Sequence, residues 1–290
     1  MRPRCLVTGA SGLLGHVVCD RLASDYDMMA LAHRNPFSGQ TSVDLRDPES
    51  LTTLLRTEKP DVVVHCAAYR DPDFCERNPE EARRLNVLPA RVMCEELPDE
   101  VPLVFVSSDY VFDGKTPPYD EDAAPSPVNV YGQSKVDAEH LVLGRDRGIV
   151  LRCPLLVGPG AGERITGFVA QILQAIRSGA DQDLDDVLIR FPTFNRDVAD
   201  AMAFLLERGQ AGVFHASGAH GGTRYALTVQ VARLLGAATP HLRPSKAVVP
   251  RVAARPRDSQ LSTDKIRNLG FRQFTAFDEV VRSLLEAEDA

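Results

Sequence analysis

Tyr131 and Lys135 stand four residues apart in Tyr131-Gly-Gln-Ser-Lys135. On a helix that spacing puts a phenol and an ammonium on one face, one turn apart. A free phenol has a pKa of about 10. An ammonium about 4 Å away, at an effective dielectric of ~20, favours the phenolate by roughly 4 kcal/mol before desolvation is counted. Such a tyrosine can act as general acid toward a ketone being reduced, or as base in the reverse direction. Upstream, Ser107-Ser108-Asp109 follows an apolar, strand-like run. The carboxyl end of such a strand borders a ligand crevice, and a hydroxyl there can donate to a substrate carbonyl.

A second constellation opens the chain: Thr8-Gly9-Ala10-Ser11-Gly12-Leu13-Leu14-Gly15. It follows a predicted strand and starts a predicted helix, the context that gives a glycine fingerprint meaning. Gly9 permits the tight turn, Gly12 lets the backbone approach a pyrophosphate at the helix N-terminus, and Gly15 allows close helix–strand packing. The expected ligand is a nicotinamide dinucleotide. After the second strand comes His33-Arg34-Asn35, without the acid that would bond a ribose 2′-hydroxyl. Arg34 instead suits a 2′-phosphate, which favours NADP while leaving NAD open. Cys66-Ala67-Ala68 ends the third strand with small residues, as close passage of a cofactor requires, and Tyr69 extends that wall.

These groups need a scaffold, and the chain predicts one. Strands are expected at 4–8, 27–32, 61–65, 103–106, 149–152 and 213–216. Helices are expected at 13–22, 48–56, 79–97, 130–143, 165–176, 196–206 and 227–235, with Asp47 capping the second and Pro89 kinking or interrupting the third. The alternation predicts an α/β fold: a Rossmann-type doubly wound parallel sheet covered on both faces. Residues 1–157, with 193–216 returning, would form the nucleotide unit. A smaller discontinuous unit of 158–192 and 217–290 would hold the substrate. The acidic run 181–186 reads as a solvated loop. Residues 239–257 carry Arg243, Lys246, Arg251, Arg255 and Arg257 and no acid; they read either as a solvated loop or as a clamp for an anionic substrate.

Composition narrows the class. A chain of 290 residues with 44% hydrophobic and 25% charged residues is long enough for a full core and ordinary for a globular protein. A net charge of −7 argues against nucleic acid as partner. No apolar run reaches membrane-spanning length, and the start runs directly into a strand, so neither a membrane span nor a signal peptide is expected. The six cysteines show no CxxC pairing; they read as small buried hydrophobes in a reducing cytoplasm, not as disulfides or a zinc site. His16, His65 and His215 read as packed or surface imidazoles, and Asp71, Asp73 and Glu76 as a loop face.

The GxxGxxG spacing resembles the extended short-chain dehydrogenases/reductases. Within them, Val106-Ser-Ser-Asp-Tyr-Val-Phe-Asp-Gly114, Pro118-Tyr119-Asp-Glu121, Asn129-Val-Tyr-Gly-Gln-Ser-Lys135 and Arg255-Pro-Arg-Asp-Ser-Gln-Leu261 with Lys265 resemble the dTDP-4-dehydrorhamnose reductases. The resemblance implies reduction of the C4 ketone of a nucleotide-linked 6-deoxy sugar. Ser108, Tyr131 and Lys135 would be catalytic, with Lys135 also bonding the nicotinamide ribose. Asp44 and Leu45 would bracket the adenine, Asp44 accepting from its amino group. Ser11, Leu13, Leu14, Ser107 and Pro154 would complete the cofactor site. Ser108, Asp109 and Tyr110 would meet the sugar, Arg255 the nucleotide end, and Asn86 would brace the sheet nearby. A homodimer is compatible with such an enzyme.

His65-Cys-Ala-Ala68, Asn78-Pro79, Arg190-Phe-Pro-Thr193 with Asp197-Val198, Gly212-Val-Phe-His215 and His241-Leu-Arg-Pro244 resemble the regulatory β subunit of methionine adenosyltransferase. That protein shares the fold and binds NADP. Sugar reductases of this type commonly carry a Trp after the strand at 149, whereas here Arg152-Cys-Pro-Leu-Leu-Val157 follows and the chain has no Trp. The alternative implied is an NADP-binding regulatory subunit with a methionine adenosyltransferase partner. An epimerase or 4,6-dehydratase fits less well, because a dehydratase needs an acid–base pair where only Asp109 stands.

Overall fold

The computed structural model describes residues 2–33, 39–247, 251–272 and 274–288. Arg34, expected to meet a 2′-phosphate, lies outside them. β1 (Arg4–Thr8) leads through the glycine turn into α1 (Gly15–Leu22), followed by β2 (Asp27–Ala32) and the short β3 (Thr41–Ser42). α2 (Pro48–Glu58), β4 (Val62–His65), α3 (Pro72–Arg77), α4 (Pro79–Asn86), α5 (Leu88–Glu96) and β5 (Leu103–Ser108) continue the alternation. Next come α6 (Val130–Leu143), β6 (Gly148–Cys153), β7 (Leu156–Val157), α7 (Gly167–Ser178), β8 (Gln182–Asp185), β9 (Thr193–Phe194), α8 (Asn195–Glu207) and β10 (Gly212–His215). α9 (Arg224–Leu234), β11 (Leu242–Ser245), α10 (Asp264–Asn268) and α11 (Phe277–Glu288) close the chain.

Seven strands form one sheet in the order β10-β6-β5-β4-β1-β2-β3, all parallel. This is the Rossmann-type doubly wound arrangement. The winding reverses between β1 and β4, so a crevice opens at their carboxyl ends. Sheet residues alternate between two cores. Val7, Val64, Val104 and Leu151 pack with Val18 and Leu22 of α1 and Met202 and Leu205 of α8. Leu6, Val63, Phe105 and Val150 pack with Leu51 of α2, Met93 of α5 and Val142 of α6. A third core joins α7, α9 and α11 to Leu184 of β8 and Leu242 of β11.

Several expected elements match closely. Asp47 caps α2, accepting from the Glu49 N–H at 3.1 Å. The helix expected at 79–97 is two helices, because Pro89 in the first turn of α5 cannot supply the N–H that would continue α4. The cysteines are all free, and none is exposed. Among the described residues no helix is long and apolar enough to cross a membrane.

The run 181–186 is a correction. It contains β8, paired in parallel with β11, with Asp183 opposite Arg243 and Asp185 opposite Ser245. Only Leu184 of β8 is fully buried, so the strand pattern is thin. The charges that make it look like a loop are matched by Arg243 of β11 and by Arg251 beyond it, far along the chain.

Candidate active site

At the carboxyl ends of β1, β4 and β5 lies a cavity of about 600 Å³, within the range of small-molecule sites. One wall is the glycine turn. Gly9 has φ +66°, and a Cβ there would sit 2.9 Å from the Ala67 nitrogen. A Cβ on Gly15 would lie 2.2 Å from the Gly9 carbonyl oxygen. Both contacts are to backbone, which cannot yield, so the turn stays slim and packs directly on the end of β4. Thr8 secures the junction: its Oγ lies 2.7 Å from His65 Nδ1 and accepts from the Ala67 N–H at 3.3 Å. Asn86 acts as the expected brace. It accepts from the Tyr69 N–H at 2.8 Å and donates to the Tyr69 carbonyl at 3.1 Å and to Ser134 Oγ on α6 at 3.0 Å.

The opposite wall is the start of α6. Asn129 caps it, accepting from the Gly132 N–H at 2.8 Å and donating to the Ala254 carbonyl at 2.8 Å. The Val130 N–H donates to Glu76 at 3.0 Å. Tyr131 is thereby fixed facing the cavity, 8% exposed, with its ring edge-on to Tyr110 at 5.6 Å. Ser108 Oγ donates to Asp109 at 3.1 Å and accepts from the Tyr110 N–H at 3.2 Å.

Burial pushes the Tyr131 phenol above its ordinary range, and a hydrogen bond with Ser108 offsets this only in part. Lys135 does not lower it as the one-turn spacing suggests. Its Nζ lies 6.0 Å from the Tyr131 ring centre, over the Phe105 ring at 4.8 Å, and donates to the Val106 carbonyl at 3.0 Å. Burial lowers the lysine itself to about 8. The two groups share a helix face, but desolvation outweighs their mutual field, so the phenol keeps its proton.

The profile of the RmlD substrate binding domain matches residues 3–289, almost the whole chain. The chain belongs to that family. It is 34% identical over 292 residues to methionine adenosyltransferase 2 subunit beta of Xenopus tropicalis, covering 97% of this chain and 87% of that protein. It is 32% identical over 288 residues to a probable low-salt glycan biosynthesis reductase of Haloferax volcanii, covering 94% and 95%. Among solved structures it resembles dTDP-4-dehydrorhamnose reductase from Bacillus anthracis in complex with NADP, with a TM-score of 0.86 and 25% identity over 99% of both chains.

In this RmlD-family chain the cavity gathers nearly every residue singled out from sequence: Gly9, Ser11 to Gly15, Asp44, Leu45, the stretch 66–69, Ser107 to Tyr110, Tyr131, Lys135 and Pro154. Arg255 is not on its wall; the guanidinium pairs with Asp73 at 3.1 Å. Two more cations of the basic stretch behave similarly. Arg243 pairs with Asp183 at 3.1 Å and Arg251 with Asp185 at 3.3 Å, so acids from elsewhere in the chain offset much of the suspected clamp. Asp73 and Glu76 are not a mere loop face, since they tie α3 to the 253–255 segment and to α6.

Four residues of this RmlD-family site were not foreseen. Arg46 occupies Asp44, donating to its carboxylate at 2.9 and 2.7 Å, and lowers that carboxyl to about 2. Asp44 therefore lines the cavity with its oxygens already engaged. Glu139, one turn beyond Lys135, accepts from the Ser107 hydroxyl and forms a buried bridge to Arg152 at 2.7 Å. Ser107 thus reaches the cavity with its hydroxyl committed elsewhere. Asn195 donates to the carbonyls of Leu13 at 2.6 Å and Pro159 at 3.0 Å, tying the glycine turn to the segment after β7. Arg190 joins the wall beside Tyr110. Only Arg46, two residues from Asp44, left a local signal; the others depend on contacts made across the fold.

Proposed function

We propose that this chain is an NADPH-dependent reductase acting on the ketone of a nucleotide-linked 4-keto-6-deoxy sugar, with Tyr131 as proton donor. The observation that carries this reading is the meeting of Ser108, Tyr131 and Lys135 with the glycine turn on one cavity. The turn fits a dinucleotide, because a side chain at Gly9 or Gly15 would collide with backbone and helix N-termini favour anions. The NADP held by the Bacillus anthracis reductase and the reductase name of the Haloferax relative support the same reading. Residues 1–157 with 193–216 would serve the nucleotide, and 158–192 with 217–290 the substrate.

Bound NADPH would supply hydride to the ketone carbon. Tyr131 passes its proton to the ketone oxygen, and Ser108, whose hydroxyl donates to Asp109 at 3.1 Å before substrate arrives, would turn that O–H to the same oxygen. A phenol kept protonated by burial suits the reductive direction. Lys135 holds the cofactor ribose and carries the nearby positive charge. That charge is present below about pH 8 and lost above it, so kcat/KM should fall as pH rises through about 8. Lys135→Arg, which cannot deprotonate, should move that limb to higher pH. An unmoved limb would assign it to another group.

A second reading has its own support: relatives at 34% identity across 97% of the chain are methionine adenosyltransferase β subunits, and the chain lacks Trp. Here it would be an NADP-binding regulatory subunit without turnover. NADPH absorbance with a panel of nucleotide 4-keto sugars separates the two. Consumption with one of them supports the reductase. No consumption, together with co-purification of a methionine adenosyltransferase catalytic chain, supports the regulatory role.

A further inference from the structure

The stretch 255–261 reaches the active site through a residue other than Arg255. Ser259 is fully buried, and its hydroxyl donates to Asp109 Oδ2 at 2.5 Å. Its backbone neighbours are held on both sides. The Arg257 carbonyl accepts from the Ile189 N–H at 2.8 Å, and the Gln260 carbonyl from the Tyr119 N–H at 2.8 Å. The Ser262 N–H returns a bond to the Tyr119 carbonyl at 2.7 Å, and the Gln260 N–H donates to Asp258 Oδ1 at 3.1 Å. Ser259 thus meets Asp109 from a fixed strap 150 residues further along the chain.

Asp109 carries one hydroxyl on each oxygen. Oδ1 accepts from Ser108 and Oδ2 from Ser259. The Ser108 oxygen is placed in turn by this carboxyl and by the Tyr110 N–H. The charged and titratable groups that act on Asp109 are the Arg190 guanidinium, the Tyr110 and Tyr131 phenols and the Cys153 thiol. Burial pushes the Asp109 carboxyl above its ordinary range, and the hydrogen bond from Ser259 is the largest influence pulling it back. A buried carboxylate oxygen that loses its donor is costly. Without the Ser259 hydroxyl, Oδ2 loses its side-chain donor, and the carboxyl is freer to turn away from Ser108.

We propose that Ser259 is the positioning residue for Asp109 and, through it, for Ser108 on the cavity wall shared with Tyr131. It fixes one carboxylate oxygen so that the other keeps Ser108 in place. The catalytic consequence rests on the reductase reading above; the hold on Asp109 does not.

The full chain carrying Ser259→Ala, Asp109→Asn or both, with NADPH and a responsive nucleotide 4-keto sugar, tests this. Ser259→Ala should lower kcat about ten- to hundredfold, the scale for losing a hydrogen bond to a charged group, with NADPH affinity unchanged. In the Asp109→Asn background the same change should cost less than about twofold, because the carboxylate it acts through is already gone. Carbon-13 NMR of the aspartate carboxyls, with Asp109 assigned from the Asn variant, needs no turnover. Ser259→Ala should move the Asp109 midpoint to higher pH, since burial stays and a donor is lost. Parental kcat in Ser259→Ala, full additivity in the double variant, or an unmoved carboxyl midpoint overturns the proposal. If the Ala variant does not fold, Ser259→Cys, a weak donor, replaces it, with the same directions expected. If the parent reduces no keto sugar, the reductase reading fails, and the carboxyl midpoint alone decides whether Ser259 holds Asp109.

Discussion

Tyr131→Phe is expected to cut ketone reduction by ~10²–10⁴-fold, the range for removing a positioned proton donor, while NADPH binds nearly as before. The phenol is 8% exposed and its ring packs against Tyr110. Phenylalanine keeps that packing and removes only the hydroxyl. The loss should fall on kcat, since the proton is transferred in the transition state. Single-turnover kinetics with NADPH and a responsive keto sugar measure it. Equal turnover in variant and parent would remove Tyr131 from the chemistry and leave the dinucleotide as a bound structural ligand.

The largest effect on stability is expected at Glu139. Its carboxylate and the Arg152 guanidinium meet at 2.7 Å with side chains 2% and 3% exposed. Glu139→Ala would leave that guanidinium buried without its acid and the Ser107 hydroxyl without its acceptor. Breaking such a pair from one side costs about 3–5 kcal/mol, against a total stability of about 5–15 kcal/mol. In a domain of this size the melting temperature should drop by about 10 °C. Replacing both partners, Glu139→Ala with Arg152→Met, should recover much of the loss, because an apolar pair removes the stranded charge. A double variant no more stable than the single one would mean that the bridge matters through Ser107 and the neighbouring Phe112 and His215 contacts and not through charge compensation.

What could be read without coordinates was what is local. Val62–His65 and Arg4–Thr8 announce themselves as strands because both faces of the sheet are covered and every second residue cannot be polar. The glycine turn and the Tyr131–Lys135 spacing are local too, and the fold brings them to one cavity. Distances across that cavity were not legible. Four residues of helix place Lys135 beneath Tyr131, but the Val106 carbonyl and the Phe105 ring decide where the ammonium goes. Desolvation, which depends on everything packed around a group, then reverses the expected direction of the tyrosine shift. The basic stretch misled for the same reason: whether Arg243, Arg251 and Arg255 are free depends on acids far away in the chain. Arg190 lacked any local mark, because the Pro256 carbonyl and the Tyr110 ring that hold it come from elsewhere in the chain.

The pairing of β8 with β11 has a bearing on how this polypeptide comes off the ribosome. Asp183 and its mate Arg243 are separated by 60 positions, and the apolar cluster beneath them also draws on Phe277, Val280 and Leu284 of α11. That cluster therefore cannot close before α11 is made, and the sheet face that packs on Met202 and Leu205 likewise waits for α8. Removing α11 would open that cluster from within.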